Sequence, residues 1–148
     1  MQPRDPAYRE TVQAIFASAP FIADLGIALD AVEPGRCSSS LVITGRHLQQ
    51  DGFIHAGVVA TMADHTAGAC AGSLKGPDEV VLTSTFTIHL LRPAVGERLA
   101  CRASALRAGR TQTVVESEVF AIGERGEKLV AKATVTLALV RAAARPSP

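Results

Sequence analysis

The amino-acid sequence predicts an α+β fold in which a curled antiparallel β-sheet wraps around one long buried helix, preceded by an N-terminal amphipathic helix. Residues 56–74 are nearly uncharged and rich in alanine, which indicates a helix that is apolar on almost every side. Several strand patterns are joined by short turns, and connections this short link antiparallel neighbours. Because the apolar helix must be covered, the sheet has to curl around it.

The amphipathic helix is predicted over residues 5–19. Pro6 suits its first turn, and Pro20 ends the pattern. Its apolar side chains recur at helical spacing, and they are Tyr8, Val12, Ile15, Phe16 and Ala19.

A β-hairpin follows, with strands over residues 27–32 and 37–44. Between these strands, Pro34 fixes one turn dihedral and Gly35 supplies a positive φ. A loop over residues 45–54 then leads to the buried helix.

The second half of the chain is predicted to consist of strands separated by turns that contain glycine or proline. These strands span residues 80–91, 98–108, 111–122 and 128–140. We expect a single domain over residues 1–148, with its core at about 20–140 and a disordered tail at 142–148.

The composition excludes several classes of protein. The 15 basic and 14 acidic side chains give a net charge of +1, which offers no surface for nucleic acid or an anionic membrane. The chain has no long apolar run and no secretory signal, and its three cysteines lack a CxxC spacing, so we expect a cytoplasmic protein. The histidines show no metal-ligand spacing and no glycine-rich phosphate-binding pattern occurs, so neither a metal nor a bound cofactor is expected.

Asp64 is the residue that the fold alone does not explain. A carboxylate on an apolar helix is costly to desolvate unless it is paired or faces a cavity, and perturbed carboxylates concentrate at functional sites. The structural alternative is a hydrogen bond from a neighbouring hydroxyl or backbone amide. We therefore treat Asp64 as a candidate catalytic carboxylate.

The start of the same helix supplies a complementary group. The backbone N–H groups of Ala56 and Gly57 lie in its first turn, where they have no acceptor within the helix and face the positive end of its dipole. Such groups are suited to bind an oxyanion. In the preceding loop, the Gln49 amide could hold a substrate carbonyl or a water, although a loop glutamine is more often merely solvated.

The spacing of these groups requires two chains if they act together. Ala56 and Asp64 are eight residues apart, which is roughly 12 Å along a helix axis. Catalytic groups must come within about 3 Å of the reacting atoms, so one chain cannot present both to one carbon. Asp64 would then come from a second copy, with two antiparallel helices forming two equivalent sites in a homodimer.

A recognisable pattern combines a loop glutamine, the start of the buried helix, the carboxylate on that helix and two later turns. Its positions are Gln49, Gly52, His55-Ala56-Gly57, Asp64, Arg92-Pro93 and Gly109-Arg110. The chain, over roughly residues 20–140, resembles the hotdog-fold acyl-CoA thioesterases of the phenylacetate-pathway (PaaI-like) type. The resemblance implies the hotdog fold and hydrolysis of a small aryl- or medium-chain acyl-CoA to a free acid and CoA. It implies no cofactor beyond the CoA of the substrate, and a homodimer that can pair further into a homotetramer.

The resemblance also assigns roles to residues. It implies that Gln49 contacts the thioester or the water and that the Ala56 N–H polarises the thioester oxygen. It implies that Asp64 acts from the other subunit as general base or nucleophile on the thioester carbon, and that the hydroxyl of Thr83 helps hold the water or the carboxylate. Arg110 would contact the nucleotide phosphates of CoA, with a solvated turn arginine as the alternative.

The pocket residues decide the acyl group. Phe53, Ile54 and Met62 are expected to shape the substrate pocket, together with His55 and Gly57 at the helix start. His55 is expected chiefly to fix the loop by a hydrogen bond, with acid–base chemistry as the alternative. The chain has alanine at the second position of the usual His-Gly-Gly, and it combines a loop glutamine with a helix aspartate, features that belong to two branches of the family.

Two other functions are weighed against hydrolysis. A non-catalytic dimer that binds acyl-CoA or an aryl ligand would gain nothing from a buried carboxylate, which raises the cost of desolvating an apolar pocket. A hotdog hydratase would need a different Asp/His spacing. Cys70 lacks the strand–turn–helix context of a nucleophile elbow, so we expect it to be a small core side chain.

Overall fold

Six antiparallel strands form one sheet in the computed structural model, which describes residues 1–142. The spatial order of the strands is β1-β2-β4-β5-β6-β3, so β1 and β3 are the two edges. The strands are β1 (Ala28–Glu33), β2 (Arg36–Val42), β3 (Glu79–Leu90), β4 (Arg98–Ala108), β5 (Gln112–Gly123) and β6 (Gly126–Arg141). The helices are α1 (Tyr8–Ser18), α2 (Pro20–Leu25) and α3 (Ala56–Gly72).

Helix α3 lies against the sheet and contacts all six strands. Its inner side chains are small, which lets the strands approach its backbone closely. The completely buried residues of this face include Met62, Ala63, Ala67 and Cys70. They pack with valines of the inner sheet face, such as Val115, Val119 and Val135. The predicted α+β architecture of a curled antiparallel sheet around a long helix is therefore confirmed.

One face of α3 is only partly covered, contrary to the prediction that the whole helix is buried. Six residues that recur at three- and four-residue spacing remain half-exposed, and they are Ala60, Thr61, Asp64, His65, Gly68 and Ala69. The sheet curls around one side of the helix only, and α1 packs against part of the other side at His65, so this stripe of mostly small side chains stays partly open in a single chain.

The segment after α1 also differs from the prediction. Pro20 was expected to end helical structure, but it is the first residue of the short helix α2. A proline is well tolerated there because the first N–H of a helix has no intrahelical acceptor. Gly26, with a φ of 82°, then ends α2 and turns the chain into β1.

The remaining element boundaries shift by a few residues. Helix α1 begins at Tyr8 rather than at residue 5, and α3 ends at Gly72 rather than at residue 74. The predicted hairpin is formed by β1 and β2, with Gly35 at a φ of 77° in its turn. The predicted tail, except for Ala142, lies outside the described residues. No helix within residues 1–142 combines the length and the hydropathy that crossing a bilayer requires.

Candidate active site

The start of α3 is capped by the side chain of the residue before it. His55 has an extended backbone, and its Nδ1 accepts the N–H of Gly57 at 2.9 Å. A Cβ on Gly57 would lie 2.9 Å from that same nitrogen, so only glycine leaves room for the ring. The predicted use of the Gly57 N–H as an oxyanion donor is wrong, because the His55 ring already occupies it.

The N–H of Ala56 is the donor that remains. Ala56 is the first residue of α3, and its N–H has no hydrogen-bond partner among residues 1–142. The residue is exposed, so the donor is open to a ligand. At the positive end of the α3 dipole, this single N–H is suited to polarise a carbonyl oxygen.

Gln49 is held by a tight loop that precedes α3. Its N–H donates to the Phe53 carbonyl at 2.8 Å, and its own carbonyl accepts the Gly52 N–H at 3.0 Å. Gly52 adopts a φ of 83°, which a side chain would strain. The side-chain oxygen of Gln49 accepts the Asp51 N–H, which leaves the amide NH₂ without a partner in the described part of the chain.

These residues line one groove of about 690 Å³. Gln49, Phe53, His55 and Ala56 form one wall, and Leu90 to Ala94 form the other. Ile54 lines the groove as well, so the structure brings five of the predicted site residues together.

The groove adjoins a second cavity that the sequence did not reveal. The two share Arg92, Pro93 and Val130, and the second cavity, of about 710 Å³, adds Arg125 and Lys128. Glu97 and Glu124 also line it, so its cations outnumber its carboxylates by one. Arg125 lies in the β5–β6 turn and Lys128 near the start of β6. Their position next to Arg92 depends on the sheet topology, and no local sequence pattern indicates it.

Asp64 is held by the neighbouring edge strand. The hydroxyl of Thr83 on β3 donates to Asp64 Oδ1 at 2.8 Å. Asp64 is half-buried on the open stripe of α3, and Thr83 is exposed. The second carboxylate oxygen has no partner within residues 1–142, so it is available to a water or a substrate.

Asp64 and Thr83 line a cavity of about 450 Å³ between α1, α3 and β3. Most of its wall is apolar, and α1 contributes Val12, Ile15 and Phe16. This participation of α1 was not predicted, because amphipathic spacing shows which face of a helix is buried but not what it covers.

His65 lies beside Asp64 in the same cavity. Its ring packs edge-on against Phe16, with centroids 4.5 Å apart and an interplanar angle of 64°. Its Nε2 is buried without a hydrogen-bond partner in the described part of the chain. Burial lowers the pKa of His65, and the nearby Asp64 only partly opposes this. The ring is therefore held in its neutral form near neutral pH.

Within one chain, the two groups of candidate residues line different cavities. Gln49 and Ala56 face the groove, whereas Asp64 and Thr83 face the α1 cavity, and no residue lines both. This arrangement agrees with the distance argument that one chain cannot present Ala56 and Asp64 to a single carbon.

The other candidates lie outside both cavities. Met62 is completely buried among core side chains, so it cannot line a substrate pocket as predicted. Arg110 lies in the β4–β5 turn and lines neither cavity. Cys70 is completely buried, and burial raises its pKa to about 12, which removes it as a nucleophile.

Comparisons with known proteins give a consistent result. The family profile described as the thioesterase superfamily matches residues 51–128. A solved thioesterase family protein from Silicibacter pomeroyi is 37% identical, covering 91% of this chain and 99% of its own, with a TM-score of 0.89. A 1,4-dihydroxy-2-naphthoyl-CoA hydrolase from Listeria monocytogenes is 28% identical over 78% of this chain and 91% of its own. The PaaI protein of E. coli, from the phenylacetic acid degradation operon, shares the fold with a TM-score of 0.79 at 20% identity, covering 93% of this chain and 96% of its own.

Proposed function

Because this chain belongs to the thioesterase superfamily, we propose that it hydrolyses the thioester of a small aryl- or medium-chain acyl-CoA to a free acid and CoA. The hotdog-fold thioesterase predicted from the sequence is confirmed by the family match and by the shared fold. The chain is thus a thioester hydrolase, and the acyl group and the residue roles are the proposal.

The observation that carries the proposal is the hydrogen bond from Thr83 to Asp64 at 2.8 Å. It fixes one carboxylate oxygen and leaves the other free beside an apolar cavity. That oxygen can take a proton from an attacking water or attack the thioester carbon itself. In the first route, water adds to the thioester carbon as Asp64 takes its proton, the C–S bond breaks, and the CoA thiolate that leaves takes up that proton. In the second route, Asp64 attacks the carbon and the C–S bond breaks, which leaves a mixed anhydride that a water then hydrolyses to the free acid and the restored carboxylate, with the released proton going to the CoA thiolate.

The carbonyl oxygen of the substrate is stabilised at the start of α3. The free N–H of Ala56 donates to the oxygen as it gains negative charge, and the amide NH₂ of Gln49 positions the thioester or the water. The His55 cap keeps the Gly57 N–H occupied, so Ala56 is the single backbone donor in this first turn. The chemistry requires no group beyond the substrate and water.

We place the complete site between two chains. Strand β3 is a 12-residue edge with exposed Val80, Leu82 and Leu90, and it lacks the lysine or proline that usually protects an edge. The open stripe of α3 lies next to it. Pairing of two copies here covers both features and brings Asp64 of one chain toward Ala56 of the other.

The two cavities then accommodate different parts of the substrate. The acyl group enters the Asp64 cavity of one chain, and the pantetheine arm of CoA follows the Gln49 groove of the other. Arg92, Arg125 and Lys128 lie at the end of that path, where cations suit the CoA phosphates. Arg110 remains the alternative phosphate contact.

The test is release of free thiol from a panel of aryl and aliphatic acyl-CoAs. We expect Asp64→Asn to lower turnover by a factor on the order of 10² to 10⁴ on every substrate that the wild type hydrolyses. Asp24→Asn, in the exposed part of α2, is the matched control and should leave turnover unchanged. A folded Asp64→Asn protein with full activity would contradict the proposal.

A further inference from the structure

Lys75 is an unusual member of the wall of the Asp64 cavity. It follows α3 by three residues and is only 4% exposed. Its ammonium donates one hydrogen bond, to the Gly76 carbonyl at 3.1 Å. It forms no ion pair with any carboxylate of residues 1–142. Most of the hydrogen-bonding capacity of this buried cation is therefore unused.

A buried ammonium without an anionic partner is strongly unfavourable. Glu79 lines the same cavity, but its oxygens already bind the Arg4 guanidinium at 3.1 and 2.5 Å and the Gly76 N–H at 2.8 Å. The pKa of Glu79 is lowered mainly by the Gly76 N–H and then by Arg4, and Lys75 is the weakest of the contributing groups. Glu79 is thus chiefly a partner of the Gly76 N–H and of Arg4.

The rest of the cavity suits a hydrocarbon chain. Gly68, Ala69 and Gly72 make its α3 wall shallow, and a Cβ on Gly68 would meet only Leu137, at 3.9 Å. His65 is the second polar group with unused capacity, since its Nε2 has no partner in the described part of the chain. A purely hydrocarbon acyl group would give no partner to the His65 Nε2 or to the remaining N–H groups of the Lys75 ammonium.

From Asp64 to the end of α3 the helix runs for eight residues, or about 12 Å. An acyl chain whose carbonyl lies at Asp64 therefore points its far end toward the C-terminal end of α3, where Lys75 is located. We infer that the acyl group accepted by this site ends in a carboxylate, which pairs with the Lys75 ammonium. This inference rests on the proposed function, and it narrows the substrates to the CoA half-thioesters of dicarboxylic acids.

The first test compares matched substrates that differ only in the terminal group. We expect the wild type to hydrolyse suberoyl-CoA with a higher kcat/KM than octanoyl-CoA. The kcat/KM values for the shorter adipoyl-CoA and the longer sebacoyl-CoA then show which chain length is preferred. Lys75→Met should lower kcat/KM for suberoyl-CoA on the order of tenfold to a hundredfold, the usual effect of losing a hydrogen bond to a charged group. It should leave the value for octanoyl-CoA unchanged or raise it.

The control is Lys132→Met, which removes an equal charge from exposed ion pairs with Glu116 and Glu118. It should not alter the ratio of the kcat/KM values for suberoyl-CoA and octanoyl-CoA. A wild type that prefers octanoyl-CoA, or a Lys75→Met protein that keeps the suberoyl-CoA preference, would overturn the inference while leaving thioester hydrolysis intact.

A binding measurement separates this inference from the proposed function. Octanoate, whose carboxylate can pair with Lys75, should raise the Tm of the wild type more than the uncharged octanamide does, and Lys75→Met should abolish the difference. This measurement does not require hydrolysis. A positive result with no turnover of any acyl-CoA would contradict the proposed thioester hydrolysis and support the carboxylate site at Lys75. Equal effects of octanoate and octanamide on the wild type would overturn the inference.

Discussion

At the start of α3, two neighbouring backbone N–H groups have different partners. The N–H of Gly57 binds the His55 ring, and the N–H of Ala56 binds nothing in residues 1–142. A side-chain substitution that removes the Ala56 N–H without disturbing the helix would isolate its contribution. Proline does this, because it is favoured as the first helical residue, and because His55, with a ψ of 135°, already has the conformation preferred before proline.

We therefore expect Ala56→Pro to fold normally and to lose activity by a factor on the order of 10² to 10³ in kcat, as for loss of one oxyanion donor. Stopped-flow or steady-state thiol release measures kcat, and circular dichroism checks the helix. Ala56→Ser, which keeps the N–H, is the control. Unchanged kcat in a folded Ala56→Pro protein would remove this N–H from the mechanism.

At the scale of elements, the N-cap of α3 depends on the lack of a side chain at Gly57. Gly57→Ala places a methyl group 2.9 Å from the His55 Nδ1, so the ring must move and the cap is lost. We expect the free energy of unfolding to fall by about 1 kcal/mol, which lowers the Tm by roughly 2–4 °C. Gly45→Ala, at a position where a Cβ meets nothing within 4 Å, is the matched control. Thermal unfolding of both variants tests the prediction, and equal Tm values would contradict it.

The packing of α1 on α3 makes stability depend on pH. Burial lowers the pKa of His65 below its ordinary value of 6.5, so the unfolded chain binds the proton more readily. The contribution of His65 is therefore fully present above pH 6.5 and decreases as the pH falls below it. Between pH 7.5 and pH 5.5, we expect the free energy of unfolding of His65→Asn to fall less than that of the wild type. Urea unfolding at each pH measures both. The control is His89→Asn, at an exposed position of β3. If the unfolding free energy of His65→Asn fell with pH as steeply as that of the wild type, this explanation would be refuted.

The elements were predictable where local patterns decide them. The Ala-rich α3 and the turn at Gly35 were identified from composition and spacing, and Asp64 was identified because a carboxylate on an apolar helix needs a reason. Helix α2 was missed because Pro20 can either end or begin a helix, and only tertiary packing decides which.

The details of the site depended on side-chain conformations and on long-range contacts. The capture of the Gly57 N–H by His55 is a local side-chain choice that spacing does not reveal. Met62 was assigned to the pocket because helical spacing alone does not show which face meets the sheet. Lys75 is buried by tertiary contacts, whereas the sequence shows only a charged residue after an apolar helix.

At the scale of the whole molecule, the proposed catalytic residues of a single chain line two separate cavities. The groove with Gln49 and Ala56 and the cavity with Asp64 and Thr83 share no lining residue. In the proposed homodimer, the edge strand β3 and the open stripe of α3 form the surface that faces the second copy. We therefore propose that each active site combines Asp64 of one chain with Ala56 of the other.

Mixing of two inactive variants tests this claim most directly. Asp64→Asn and Ala56→Pro chains are unfolded together and refolded in equal amounts, and thiol release is measured while native mass spectrometry counts the hybrids. With random pairing, half of the dimers are hybrids with one intact site of two, so we predict recovery to about one quarter of wild-type activity. Hybrids that form without any gain over the two separate variants would show that the site lies within one chain and would contradict the account.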